Sequence, residues 1–196
     1  MENVKIKDLH NYMNDSFSFP KHEYCKKYLF IDLRDFEEEI LKNNGDLEFN
    51  VFFSKNDQKS LTFPPFTNVT KAELKSISFP KMNNDDMYFI FDIYELNGRL
   101  FSSDNLGSHD SFAIVHYDAS TQNAGYMRPM KGKDFDEKEI VFNPICPSLN
   151  RLTVAFKKYG GRVINVNDID NTQIDIKTWL KKYPINFMIE FTCRVF

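Results

Sequence analysis

Four histidines and a scatter of acidic, hydroxyl and thiol groups are the residues of this 196-residue chain whose chemistry must be tested first. His116-Tyr117-Asp118 has the H-x-D spacing with which a strand end presents two ligands of a 2-His-1-carboxylate iron site, the centre of a non-haem oxygenase. Such a site needs a second histidine from a later strand. None follows residue 116, and His10, His22 and His109 all precede it, so His116 reads as a side chain on the polar face of a half-exposed strand. The histidine cluster of a cupin is missing too. Asn165, Asn167, Asp168 and Asp170 make an oxygen-rich loop, but without the central Gly and terminal Glu of a twelve-residue calcium loop it reads as a polar turn. Ser108-His109-Asp110 sets three triad residue types side by side, whereas triads are assembled in space from separated segments, and no G-x-S-x-G elbow occurs. Gly160-Gly161 reads as a hairpin turn, and neither GxxxxGK[ST] nor GxGxxG is present to cradle phosphate. Cys25, Cys146 and Cys193 are an odd set at wide spacing, from which neither a disulfide framework nor a CxxC clasp can be drawn. They read as buried free thiols in a reducing compartment. The expectation is a protein that is not an enzyme, with no catalytic, cofactor-binding or metal-binding residues and no cofactor.

The elements that would carry these residues read as short strands. Helical periodicity is nearly confined to the start, where Val4, Leu9, Tyr12 and Met13 share one face before Pro20, so residues 1–21 are taken as an N-terminal arm and 22–196 as the folded domain. Strand-formers occupy 28–36, 48–54, 60–63, 69–79, 87–96, 112–117, 125–128, 139–142, 151–157, 162–166 and 173–179. Turn clusters such as Asn43-Asn44-Gly45-Asp46 separate them, and Glu37-Glu38-Glu39 reads as a solvated turn of helix. In 185–196, Phe187, Ile189, Phe191, Cys193 and Val195 alternate with polar or weakly apolar neighbours, the period of two of a strand with one buried face. Many short strands without helices of crossover length predict an all-β fold of two packed antiparallel sheets, specifically a single jelly roll. The connections 101–111 and 119–125 are longer than hairpin turns and are expected to cross between sheets.

Composition bounds the rest. Twenty Phe and nine Tyr against a net charge of −3 give the chain enough apolar surface to fold as one domain without disulfides or metal. Lys and Arg form no long block, which argues against direct nucleic-acid binding. There is no signal-peptide core in the first residues and no run of about 18 apolar residues, so no membrane-spanning segment is expected.

One stretch is more specific. Asn143-Pro144-Ile145-Cys146-Pro147-Ser148-Leu149-Asn150-Arg151-Leu152-Thr153-Val154-Ala155-Phe156, followed by Tyr159-Gly160-Gly161, resembles the P-S-L-(N/D)-R-L-T signature of jelly-roll structural proteins of nucleocytoplasmic large DNA viruses. The segment from Met87 ending in Glu95-Leu96-Asn97-Gly98 is similar to their strand ending in E-L-N-G, and Ser102-Ser103-Asp104-Asn105 resembles their Ser/Asn-rich loop. Phe112-Ala113-Ile114-Val115 and Tyr126-Met127-Arg128-Pro129-Met130 follow in the same order. The likeness covers roughly half the chain, and residues 1–80 take no part in it. The turn glycines Gly160-Gly161 replace the usual Asp-Gly, and 165–171 lacks the Asp-His or Asp-Asp pair. Read without any family, Pro144 and Pro147 would hold an extended connection, Leu149 and Leu152 would anchor its ends in the core, and Arg151 would meet carbonyls or a carboxylate.

The resemblance implies a virion structural protein, a penton or minor capsid component of the icosahedral shell of a large double-stranded DNA virus. Its expected partners are copies of itself, a pentamer among the arrangements, and other capsid proteins such as a major capsid protein. Its expected location is the virion capsid, assembled in the host cell cytoplasm. The rival expectation is a carbohydrate-binding β-sandwich, an attachment lectin using exposed aromatics and loops such as 83–86. A degenerate iron-dependent oxygenase is the remote third.

Overall fold

The clearest alternation in the sequence becomes the strand that organises the molecule. In the computed structural model, which describes residues 22–35, 45–53, 65–80, 88–96, 111–116, 126–127, 139–158, 160–169 and 175–195, that strand is β9, Asn186–Val195. It buries Phe187, Ile189, Phe191 and Cys193 and has a neighbour on either side. Before it come β1 (Glu23–Asp32), β2 (Glu48–Phe52), β3 (Phe66–Pro80), β4 (Tyr88–Ile93), β5 (Ala113–His116), β6 (Tyr126–Met127), β7 (Glu139–Leu149) and β8 (Arg151–Lys157).

The pairing is nested. β1 pairs with β9, β2 with β8, β3 with β7 and β4 with β5, all antiparallel, as though one long hairpin had been wound on itself. The β3–β9 and β4–β8 ladders then join alternate pairs into two sheets, β1-β9-β3-β7 with the short β6 at the end of β3, and β2-β8-β4-β5. First strand with last, inward to the central hairpin, is the jelly-roll connectivity expected from the sequence. Phenylalanines fill the space between the sheets. Phe79 on β3 stacks on Phe89 of β4 at 4.5 Å, and Phe91 of β4 meets Phe187 of β9 edge-on at 4.9 Å. Each such pair adds about 0.5–1.5 kcal/mol beyond the area it buries.

Three local expectations are corrected. The strand expected over 173–179 is, where described, a helix, α1 (Ile176–Lys182). Asp175 caps it by accepting the Thr178 N–H at 2.8 Å, Trp179 and Leu180 are buried, and Pro184 prevents its continuation. Residues 162–166 form only isolated bridges, Lys157 with Val163 and Asp46 with Asn165, before a 3₁₀ turn. The connection containing 101–111 joins β4 to β5 within one sheet instead of crossing between sheets. The segment holding Pro144 and Pro147 is itself strand: β7 runs through both prolines, and among the described residues it pairs only with β3. On such an edge a missing N–H disturbs no central ladder. The arm 1–21, the acidic run 37–39 and the strand expected at 60–63 lie outside the described residues. Among the described residues no helix is long and apolar enough to cross a membrane.

Candidate interaction surface

Among the described residues β1 is an edge strand of its sheet, and its alternation sorts two kinds of side chain. Leu29 and Ile31 point into the core, while Tyr24, Tyr28 and Phe30 stand on the outer face, each more than half exposed (58%, 57% and 55%). Their neighbours on β9, in register, are Arg194 beside Tyr24, Thr192 beside Lys26, Glu190 beside Tyr28 and Met188 beside Phe30. The outer face therefore begins with an aromatic row at its edge.

Further in lies a lattice of charge. Glu190 on β9 sits directly opposite Glu73 on β3, and both are buried, at 4% exposure, by the side chains around them. Like charges in register repel, and the arrangement holds because cations flank both. Lys26 reaches Glu190 at 2.9 Å, Lys71 reaches Glu73 at 3.1 Å and also contacts Glu139, and Lys75 contacts Glu73. Hydrogen bonds from Lys26 and then from Tyr28 hold the Glu190 carboxyl below its ordinary range, while the hydrogen bond and charge of Glu190 raise Lys26. Val141 on β7 ends the face, 65% exposed. The aromatic margin and Val141 leave exposed apolar area on either side of a charge-paired centre.

The outer face of the other sheet is more closed, though Tyr94 at its end is 45% exposed. Asp92 on β4 and Thr153 and Ala155 on β8 point outward yet are buried. Lys157 contacts Asp92 and lies over the Tyr94 ring at 4.8 Å. Burial works against its charge, but the Asp92 carboxylate and Tyr94 outweigh it and hold the ammonium above its ordinary value. Beside them the turn after β4 and the start of β8 meet. Glu95 accepts the Thr153 N–H at 2.6 Å, the Thr153 hydroxyl at 2.9 Å and Arg151 Nε at 3.1 Å. Arg151 thus finds a carboxylate, while Leu149 and Leu152 are buried at the ends of β7 and β8. The signature residues fasten the 3₁₀ turn Tyr94–Leu96 to β8.

Only some of the residues singled out for chemistry lie among the described residues. His116 ends β5 opposite Tyr88, with the rings 5.6 Å apart, and its expected companions Tyr117 and Asp118 lie outside the described residues, as do His10, His109 and the 108–110 triplet. His22 is exposed and bonded to Arg194. Asn165 and Asp168 form a capping box on a 3₁₀ turn, with Asp168 taking Arg162 at 2.8 Å and the Asn165 N–H at 2.9 Å, and Asn165 reaching Asp46. Burial opposes the Asp168 charge, but Arg162 and that N–H lower its pKa. Asp170 lies outside the described residues. Gly160 and Gly161 hold positive φ in the turn after β8, as a hairpin requires. Among the described residues no three His, Cys, Asp or Glu converge as metal ligands.

Sequence reading missed one juxtaposition. Cys25 and Cys193 are directly opposite partners on β1 and β9, and Cys146 lies on β7 in the same row, beyond Val69. Only Cys193 is buried; Cys25 and Cys146 are half-buried. The nested pairing was the missing information, since only the first strand meeting the last brings 25 to 193. No protein-family model matches this chain, and no curated protein does.

Proposed function

We propose that this jelly roll is a virion structural protein, a penton or minor component of the icosahedral shell of a large double-stranded DNA virus, working through protein–protein interfaces. The observation that carries the reading is the outer face of the β1 sheet, where Tyr24, Tyr28 and Phe30 form an exposed aromatic row beside an ionic lattice that is already neutralised. Exposed aromatic side chains are what a protein interface concentrates at its core. The joining of Glu95 to Arg151 and Thr153 supports the resemblance, since it gives both motifs one shared structural task. In this role the chain meets copies of itself, with five around a vertex forming heterologous, ring-closing contacts, and a neighbouring major capsid protein. Permanent contacts of this kind bury upwards of about 2,000 Å². The protein would be assembled in the host cell cytoplasm and reside in the capsid.

The test is a reconstruction of purified virions with this chain fitted to the density. Placement in the shell, at vertices or within facets, supports the proposal; absence of the chain from virions sinks it. The same aromatic row favours one rival, a carbohydrate-binding sandwich, because sugar rings also stack on exposed aromatics. Glycan-array binding that disappears in Tyr28→Ser, for a protein absent from the shell, would select that rival.

A further inference from the structure

We propose that Cys25 and Cys193 are a redox-controlled pair that forms a cross-strand disulfide, tying the first strand of the jelly roll to the last. The proposal rests on strand register and stands whether or not the chain is a shell protein. Directly opposite residues of an antiparallel ladder have Cα atoms about 4.5–5.5 Å apart, inside the roughly 4.4–6.8 Å span of disulfides. Cys25 and Cys193 are such partners, and being in register they share one face of the sheet. The thiols are close enough to interact: burial raises the Cys193 thiol first of all, Lys27 opposes this, and the charge and hydrogen bond of Cys25 raise it further. Cys146 is an internal control. Val69 stands between it and Cys193, so two strand spacings of about 4.8 Å each separate them, beyond disulfide reach. Its thiol lies 3.6 Å from the Ser148 carbonyl.

The chemistry is thiol–disulfide exchange with an external disulfide, oxidised glutathione or a disulfide oxidoreductase. Cys25 is the more accessible thiol, so its thiolate attacks one sulfur of the external disulfide and releases one thiol. The Cys193 thiolate then attacks the Cys25 sulfur of the mixed disulfide and releases the second thiol. The two cysteine protons end on the two released thiols with no net release to solvent, the pair loses two electrons and the external disulfide gains them. The bond closes a loop over most of the chain and restricts the unfolded state.

The full chain, purified reduced, is equilibrated in oxidised glutathione, its remaining thiols are alkylated, and intact mass, peptide maps and melting temperature are recorded. The expected result is a single alkylated thiol, Cys146, a linked peptide pair containing Cys25 and Cys193, and a melting temperature higher by roughly 10 °C that reductant reverses. Cys146→Ser should keep the shift, and Cys25→Ser and Cys193→Ser should each lose it. If Cys193→Ser fails to fold, the half-exposed Cys25→Ser decides. Three alkylated thiols after oxidation, a linkage through Cys146, or glutathione retained on Cys25 with Cys193 still free would each overturn the proposal.

Discussion

The two sheets of this sandwich treat their outer faces in opposite ways. On the β4–β8 side the outward positions Asp92 and Thr153 are buried and held by Lys157 and Glu95, with Lys157 lying over the Tyr94 ring. On the β1–β9 side the charged groups are likewise paired, but Tyr24, Tyr28 and Phe30 are left standing in water. The first arrangement spends side chains on holding the fold. The second leaves apolar area whose burial would yield about 25 cal/mol per Å² only when something else arrives. Polar residues are therefore structural on one face, and aromatic residues are available for contact on the other.

The largest effect should come from breaking the closed face. Lys157→Met would leave Asp92 buried without its cation, its Oδ1 having no hydrogen-bond partner among the described residues. An uncompensated buried charge costs about 3–5 kcal/mol, so the melting temperature should fall by roughly 10 °C or more. Adding Asp92→Asn should restore much of this; if the single variant loses under about 1 kcal/mol in urea unfolding, the face is less closed than its geometry implies. Glu95→Ala comes next. Removing an ionised acceptor from the Thr153 N–H and hydroxyl should cost about 2 kcal/mol by the same measurement, with Glu95→Gln losing less.

The open face should respond the other way round. Tyr24→Ser with Phe30→Ser alters exposed positions, so unfolding free energy should move by no more than about 0.5 kcal/mol. Incorporation into shells should nevertheless drop tenfold or more, because even 1.4 kcal/mol lost from an interface is a factor of ten. Normal incorporation of the double variant would place the contact surface elsewhere on the molecule.

The contrast between the faces was only partly legible in the residues. The alternation of Phe187, Ile189, Phe191 and Cys193 announces a strand by itself, since the period of two is local. The motifs around Glu95 and Arg151 were visible, but their contact was not, because it depends on β4 lying beside β8. α1 escaped because its seven residues make barely two turns, too few for a helical period to outweigh the β-formers around it. For the same reason of length, 162–166 was overread as a strand. The openness of the β1 face was the least legible of all: Tyr24, Tyr28 and Phe30 look like core residues until β1 is known to be an edge strand with its other face inward. Cys25 and Cys193 were distant in sequence and adjacent only through the nested pairing.

The smallest expected effect separates the charge lattice from the aromatic row. Glu190 has its folded pKa lowered by Lys26 and Tyr28, so its contribution to stability is complete above the unfolded value of 4.5 and is lost as pH falls through the lower folded value. The carboxylate is covered, but its partner Lys26 is largely exposed, so screening keeps that contribution small. Glu190→Gln should therefore leave stability near pH 7 only slightly reduced, and should reduce the acid sensitivity of unfolding below about pH 4.5, where the native chain still has this charge to lose. Because Tyr28 is one of the two donors to Glu190, Tyr28→Phe should raise the Glu190 pKa toward its ordinary value while retaining the exposed ring. A carboxyl titration by NMR that leaves Glu190 unmoved in Tyr28→Phe would mean that lattice and aromatic row are independent. A shift would mean that the strand carrying the aromatics is held in place by the charges behind it.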